Sequence, residues 1–147
     1  MEVKKNKIKN KTRTEYRRFI ISILYQYELQ NLIVNLKDVN NKFNLSKQEY
    51  KTINFISKRY NFLKSFIIKF LARKEATWIN TKPIIRSILI FGVFELLYLD
   101  KKIVINEFVE LTKLYTLEEK ENDYKFVNAV LDKISQLFKG NQEYDTN

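Results

Sequence analysis

The sequence has no cysteine and no histidine, and only two glycines and one proline in 147 residues. Without cysteine there is no disulfide framework, thiolate nucleophile, zinc ribbon or iron–sulfur site. Without histidine there is no Ser–His–Asp triad, imidazole base or histidine-ligated metal. Gly92 and Gly140 cannot build a Gly-x-Gly dinucleotide fingerprint or a Walker A loop. So little glycine and proline also argues against a turn-rich β fold and for helices. The most apolar run, Ile84 to Leu99, carries Arg86, Ser87 and Glu95, which makes it too short and too polar for a membrane span. The apolar stretch Phe19 to Leu24 is soon interrupted by Tyr25, Gln26 and Glu28, so no segment reads as a signal peptide. The chain is expected to be cytoplasmic, with no metal and no cofactor. Only carboxylates, lysines and tyrosines remain for catalysis, which favours a binding protein over an enzyme.

What is present agrees with that. Apolar residues make up 45% and aromatics 14% of the chain, enough for a packed core in one domain spanning 1–147. The formal charge is +10 and it is uneven. Residues 1–94 hold 20 basic and 6 acidic side chains, whereas 95–147 hold 7 and 11. Lys4, Lys5, Lys7, Lys9, Lys11, Arg13, Arg17 and Arg18 crowd the first 18 residues against Glu2 and Glu15. That density attracts phosphates and releases their counterions. The 21 lysines accompany 15 asparagines and 17 isoleucines, a bias that also fits drift on a solvated surface. Arginine resists that explanation, because three of the six lie between residues 13 and 18.

The apolar periodicity predicts helices throughout. Residues 1–11 are polar and lysine-rich, a basic arm expected to order only against something acidic. The tail 140–147 is expected to be flexible as well. Tyr16, Ile20, Ile23, Leu24 and Tyr27 form one stripe of a helix from about Thr12 to Ile33, with the first turns and their arginines expected in solvent. A short helix is expected near Lys37–Phe43. Ser46 and Glu49 form a capping box that opens a helix running to about Arg73. That helix would be roughly 40 Å long if unbroken, so a break is expected near Ser57–Asn61. Thr81 is the expected N-cap of a helix to about Leu99, with Pro83 in its first turn. It is apolar nearly all round and reads as the central buried helix, with Gly92 marking close packing. Further helices cover about Ile103–Thr116 and Asn122–Phe138, and Asp123 suits the positive start of the last.

Few residues suggest chemistry. Glu118, Glu119, Glu121 and Asp123 lack the glycine turn that a hard-cation loop uses and read as a solvated loop. Glu107, Glu110 and Lys113 read as helix-surface pairing. Glu95 is the only acid in an apolar helix; it either satisfies a neighbour or offers a contact to a basic partner. Phe126 flanks the last helix's stripe and is either core or a ring for base stacking, with Lys125 beside it for a phosphate.

Three segments are more specific. Residues 95–111 read Glu-Leu-Leu-Tyr-Leu-Asp-Lys-Lys-Ile-Val-Ile-Asn-Glu-Phe-Val-Glu-Leu, and residues 125–134 read Lys-Phe-Val-Asn-Ala-Val-Leu-Asp-Lys-Ile. With Ile23-Leu24-Tyr25-Gln26 after an arginine-containing start, the chain resembles the NusB family of transcription antitermination factors from about Thr12 to Phe138. The resemblance implies an all-α fold, a compact bundle of about seven helices in two small sub-bundles. It implies binding of single-stranded boxA RNA together with NusE, a ribosomal small-subunit protein. Loading onto RNA polymerase with other Nus factors would then suppress termination in ribosomal RNA operons.

Site residues follow from the same resemblance. Arg13 and Arg17 match the basic first helix, and Lys125 and Phe126 match the Lys-Phe that approaches the bases. Lys9, Lys11 and Arg18 belong to the same basic front end. Tyr25, Phe62 and Glu95 fall on the surface that faces NusE. Phe94, Ala129, Tyr124 and Asn122 depart from the family pattern, and Glu15 replaces a basic residue. Three alternatives stand beside this reading: an RNA-binding module in ribosomal RNA maturation, a detached methyltransferase accessory domain, and a homodimer or membrane-surface protein built on the basic, aromatic surface.

Overall fold

A computed structural model of the chain describes residues 11–116 and 121–138. Among these residues there are seven helices and no strand: α1 (Arg13–Leu29), α2 (Leu36–Lys42), α3 (Lys47–Ile68), α4 (Glu75–Asn80), α5 (Pro83–Leu96), α6 (Lys101–Thr116) and α7 (Glu121–Gln136). The fold is all-helical, as the composition and periodicity require. The expected tail 140–147, and the arm apart from Lys11, lie outside the described residues.

Local chemistry sets most boundaries. The Ser46–Glu49 box opens α3, the Ser46 hydroxyl accepting from Glu49 N–H at 3.1 Å while the Glu49 carboxylate accepts from Ser46 N–H at 2.8 Å. Thr12 and Glu15 make the same reciprocal cap on α1, satisfying donors that the first helical turn leaves unpaired. Helix α3 breaks at Arg59 (φ −119°, ψ 20°), inside the expected window.

Other boundaries differ from expectation. Helix α1 stops at Leu29 and not near Ile33, because Asn31 turns left-handed at φ 55° and Leu32 N–H returns to the Tyr27 carbonyl at 2.9 Å. Helix α3 stops at Ile68, and the short α4, which the apolar pattern does not announce, starts after a second left-handed residue, Lys74 at φ 49°. Thr81 is the C-cap of α4 and not the N-cap of α5; its hydroxyl donates to the Thr77 carbonyl at 2.6 Å.

Helix α5 is the core. Every residue from Ile85 to Leu96 is buried, and the helix packs against α1, α3, α6 and α7. A Cβ at Gly92 would lie 3.2 Å from both terminal methyls of Leu131, so this glycine lets α7 approach closely. Phe91 meets Tyr16 edge-on at 5.8 Å and Phe108 at 5.3 Å, tying α1 and α6 to the same face.

Two buried ion pairs fasten α1 to α5. Arg17 donates to Glu95 through Nε (3.0 and 3.2 Å) and Nη2 (2.8 Å). Arg86 donates through Nε to Glu28 at 2.8 Å and through Nη1 to the Thr81 carbonyl at 2.7 Å. Tyr60 of α3 donates its hydroxyl to the other Glu28 oxygen. Residues 17 and 28 lie three helical turns apart and so share one face of α1.

Three tyrosine hydroxyls are also tied into the bundle. Tyr16 pairs with Thr52 at 2.6 Å, Tyr60 with Glu28, and Tyr27 with Asp38. Burial raises all three above the ordinary tyrosine range, Tyr27 to about 12. The unfolded chain ionises these groups near pH 10, before the folded chain does. Their contribution is therefore complete below about pH 10 and is lost as the pH rises past it. The urea midpoint should fall steadily between about pH 10 and about pH 12, with phenolate absorbance from these residues appearing only as the chain unfolds. A midpoint independent of pH across that window would show that the three hydroxyls do not couple to folding.

Candidate nucleic-acid interface

The basic front end divides into inward and outward groups. Arg13 and Arg18 are exposed on the first turns of α1. Lys11 reaches back, its ammonium 2.9 Å from the buried Glu49 carboxylate and 4.9 Å above the Phe19 ring. Its charge is thereby partly answered within the fold. Lys9 lies outside the described residues.

Two expectations are corrected. Arg17 is 1% exposed and Glu95 0% exposed. Neither is a surface contact, because each is the other's buried partner. Burial raises the Glu95 carboxyl above its usual range, against the lowering pull of Arg17. Arg17 also lies 3.8 Å from Glu107 and 5.8 Å over the Phe108 ring. The residue anticipated for RNA and the residue anticipated for a partner protein thus hold α1 and α5 together. Glu107 faces Arg17, so only Glu110 makes the expected surface pair with Lys113, at 3.3 Å.

Lys125 and Phe126 sit side by side on α7 but point apart, as consecutive helical residues must. Lys125 is exposed and lines an open groove of about 490 Å³ between α6 and α7, with Lys101, Lys102, Asn106 and Asn128. Asp132 lies in the same groove. Phe126 is half-buried against the core and borders a separate groove of about 340 Å³ with Arg73, Asn80 and Lys82. Lys82 pairs there with Asp123 at 2.7 Å.

The α6–α7 groove is electropositive for a structural reason. The first turn of α6 carries no acid and holds two lysines at the positive end of the helix dipole. Asp100 precedes it, accepting weakly from Ile103 N–H at 3.4 Å. Cations placed where the dipole disfavours them gain from an anion bound nearby. Sequence reasoning overlooked Lys101 and Lys102; the available signal was a lysine pair directly ahead of Ile-Val-Ile-Asn-Glu.

The remaining residues expected to face a partner lie on different helices. Phe62 of α3 is 60% exposed and stacks on Phe66 at 6.1 Å. Tyr25 of α1 is half-buried. Among the described residues there is no acid cluster arranged to hold a metal ion, and no helix long and apolar enough to cross a membrane.

The NusB family model matches residues 14–136. The chain belongs to the NusB family. The transcription antitermination protein NusB of Campylobacter hominis is 32% identical over 133 residues, covering 86% of this chain and 98% of that protein. That of Campylobacter jejuni is 34% identical over 128 residues, covering 82% and 93%. A solved structure of T. maritima NusB superposes with a TM-score of 0.70 at 22% identity, over 87% of this chain and 93% of that one. The span matched by the family model contains α5, α6 and α7 and nearly all of α1, so both ion pairs and the lysine groove fall inside the NusB fold.

Truncation separates the inward arginine from the outward ones. Arg17→Ala strands a buried carboxylate and should cost about 3–5 kcal/mol, whereas replacing both partners by Arg17→Met with Glu95→Leu should recover much of that loss. Arg13→Ala and Arg18→Ala should change stability by no more than about 0.5 kcal/mol. Urea unfolding of the variants gives these values; equal losses for Arg13→Ala and Arg17→Ala would contradict the assignment.

Proposed function

We propose that this NusB-family protein is a non-enzymatic, cytoplasmic RNA-binding antitermination factor. It holds boxA-type single-stranded RNA jointly with NusE and supports ribosomal RNA transcription alongside RNA polymerase and other Nus factors. The observation that carries the reading is the convergence of Lys101, Lys102 and Lys125 on one groove, in a chain that aligns nearly end to end with antitermination proteins. Lysines neutralise backbone phosphates and release counterions. Asn106 and Asn128 bring donor and acceptor amides to the same groove, where splayed bases can be read on their edges. Arg13 and Arg18, with the arm before them, extend the cationic track. NusE docks on the surface carrying Tyr25 and Phe62, and Glu95 contributes from beneath by holding α1 in place.

The test is a titration of labelled boxA-like RNA and a scrambled copy, with and without the NusE homologue, across salt concentrations. Engagement of three or four phosphates gives a log–log salt slope of about −2 to −3 on a single strand. Lys101→Ala with Lys102→Ala should make that slope shallower by about 1.4. NusE should tighten binding to boxA more than to the scrambled copy. A slope near zero, or equal binding of both RNAs with NusE present, would refute the reading.

A further inference from the structure

The turn between α5 and α6 displays an exposed aromatic ring. Tyr98 follows the end of α5 and is 51% exposed. Its N–H donates to the Glu95 carbonyl at 3.1 Å, so the backbone beneath the ring is fixed by the residue that also grips Arg17. The ring meets Phe94 edge-on at 5.2 Å, and Phe94 meets Phe55 at 5.1 Å. The exposed Arg59, at the kink of α3, places its guanidinium 4.6 Å over Phe55. The aromatic row therefore runs from Tyr98 to an arginine.

The Tyr98 hydroxyl meets the side chain of Tyr16 on α1, and Arg13 is exposed one turn before Tyr16. Lys101 and Lys102 follow three and four residues later, in the groove that contains Lys125. Of the nearby acids, Glu95 is paired with Arg17, Glu107 faces Arg17 and Asp100 caps α6, while Asp132 shares the lysine groove.

We propose that Tyr98 is a base-stacking platform for single-stranded RNA, at the junction between the cationic start of α1 and the lysine groove of α6 and α7. The inference rests on the RNA-binding reading above and adds a contact to it. A half-open ring flanked by cations from separate elements is the arrangement that holds single strands, the ring taking a base while the cations take the phosphates on either side. The elements around this turn carry Arg13, Arg59, Lys101 and Lys102, which suits a polyanion. The contact carries no charge, so it adds affinity without steepening the salt dependence.

The experiment compares wild type with Tyr98→Ala, Tyr98→Phe and Tyr98→Trp in full-length protein, using the labelled boxA-like RNA. Tyr98→Ala should weaken binding by about 5-fold to 100-fold with the salt slope unchanged, and Tyr98→Phe should stay within about 2-fold of wild type. In Tyr98→Trp the added indole should be quenched by RNA along the binding curve, against the constant signal of the buried Trp78. Circular dichroism checks that each variant keeps its helices. Tyr98→Ala binding RNA like wild type, or an unquenched Tyr98→Trp that still binds, overturns the platform alone. Loss of NusE capture with unchanged RNA affinity also overturns it and makes Tyr98 a protein contact. A wild-type chain that binds no RNA with or without NusE removes the functional reading and the platform together.

Discussion

The two buried ion pairs between α1 and α5 are the constraint on which the rest of the structure depends. Arg17 meets Glu95 at one end of the contact, and Glu28 meets Arg86 at the other. The polarity is crossed: α1 supplies the cation at one end and the anion at the other. A parallel arrangement would turn Arg17 toward Arg86 and Glu28 toward Glu95, two like-charge encounters in a site that water cannot screen. Apolar packing alone would not distinguish the two directions, since α5 is apolar nearly all round. Removing four charges from water costs several kcal/mol per ion, which Coulomb attraction, short hydrogen bonds and the added donors from Tyr60 and Arg17's second nitrogen offset. Among the described residues no buried side-chain nitrogen or oxygen lacks a partner.

That constraint also sets the outer surface. With Arg17 drawn inward, Arg18 turns to another side of α1, while Arg13, one turn earlier on the same face, stands exposed at the helix start. Glu95 anchors the turn that carries Tyr98, and the same turn leads into the lysines of α6. The cationic surface is therefore built on the end of a rigid contact, where orientation is inherited from the core.

Signals confined to one helix were readable from the sequence. The Ser46–Glu49 box, the all-apolar α5 and the packing role of Gly92 each follow from residues within a few positions of one another, and the break near Arg59 follows from the length of the helix that contains it. What depended on distant partners was not readable. Arg17 and Glu95 are 78 residues apart, and a lone charge on a helix looks alike whether it meets water or its counter-ion. The apolar stripe put Arg17 at the helix's front, which suggested solvent, but Glu95 was waiting at that height on α5. Helix α4 escaped notice because its entry depends on Lys74 adopting a left-handed backbone, a conformation that lysine does not advertise. Lys101 and Lys102 drew no attention on their own; only the fold brings Lys125 to the same groove.

The division of labour between arginine and lysine bears on how RNA would be recognised. Of six arginines, two are committed to buried carboxylates and Arg59 lies over Phe55. The planar guanidinium suits those places because it donates in several fixed directions at once. Lysine supplies the α6–α7 groove, and an ammonium is a point charge that holds a phosphate without prescribing its orientation. A surface of this kind attracts any polyanion. Under the proposed function, discrimination among RNAs then comes from uncharged groups, namely the amides of Asn106 and Asn128 and an aromatic face, and from the geometry the proposed partner imposes. Two of the directional cations, Arg17 and Arg86, are placed where direction is needed for folding, so under the proposed function selectivity in the α6–α7 groove falls to amides and flat rings.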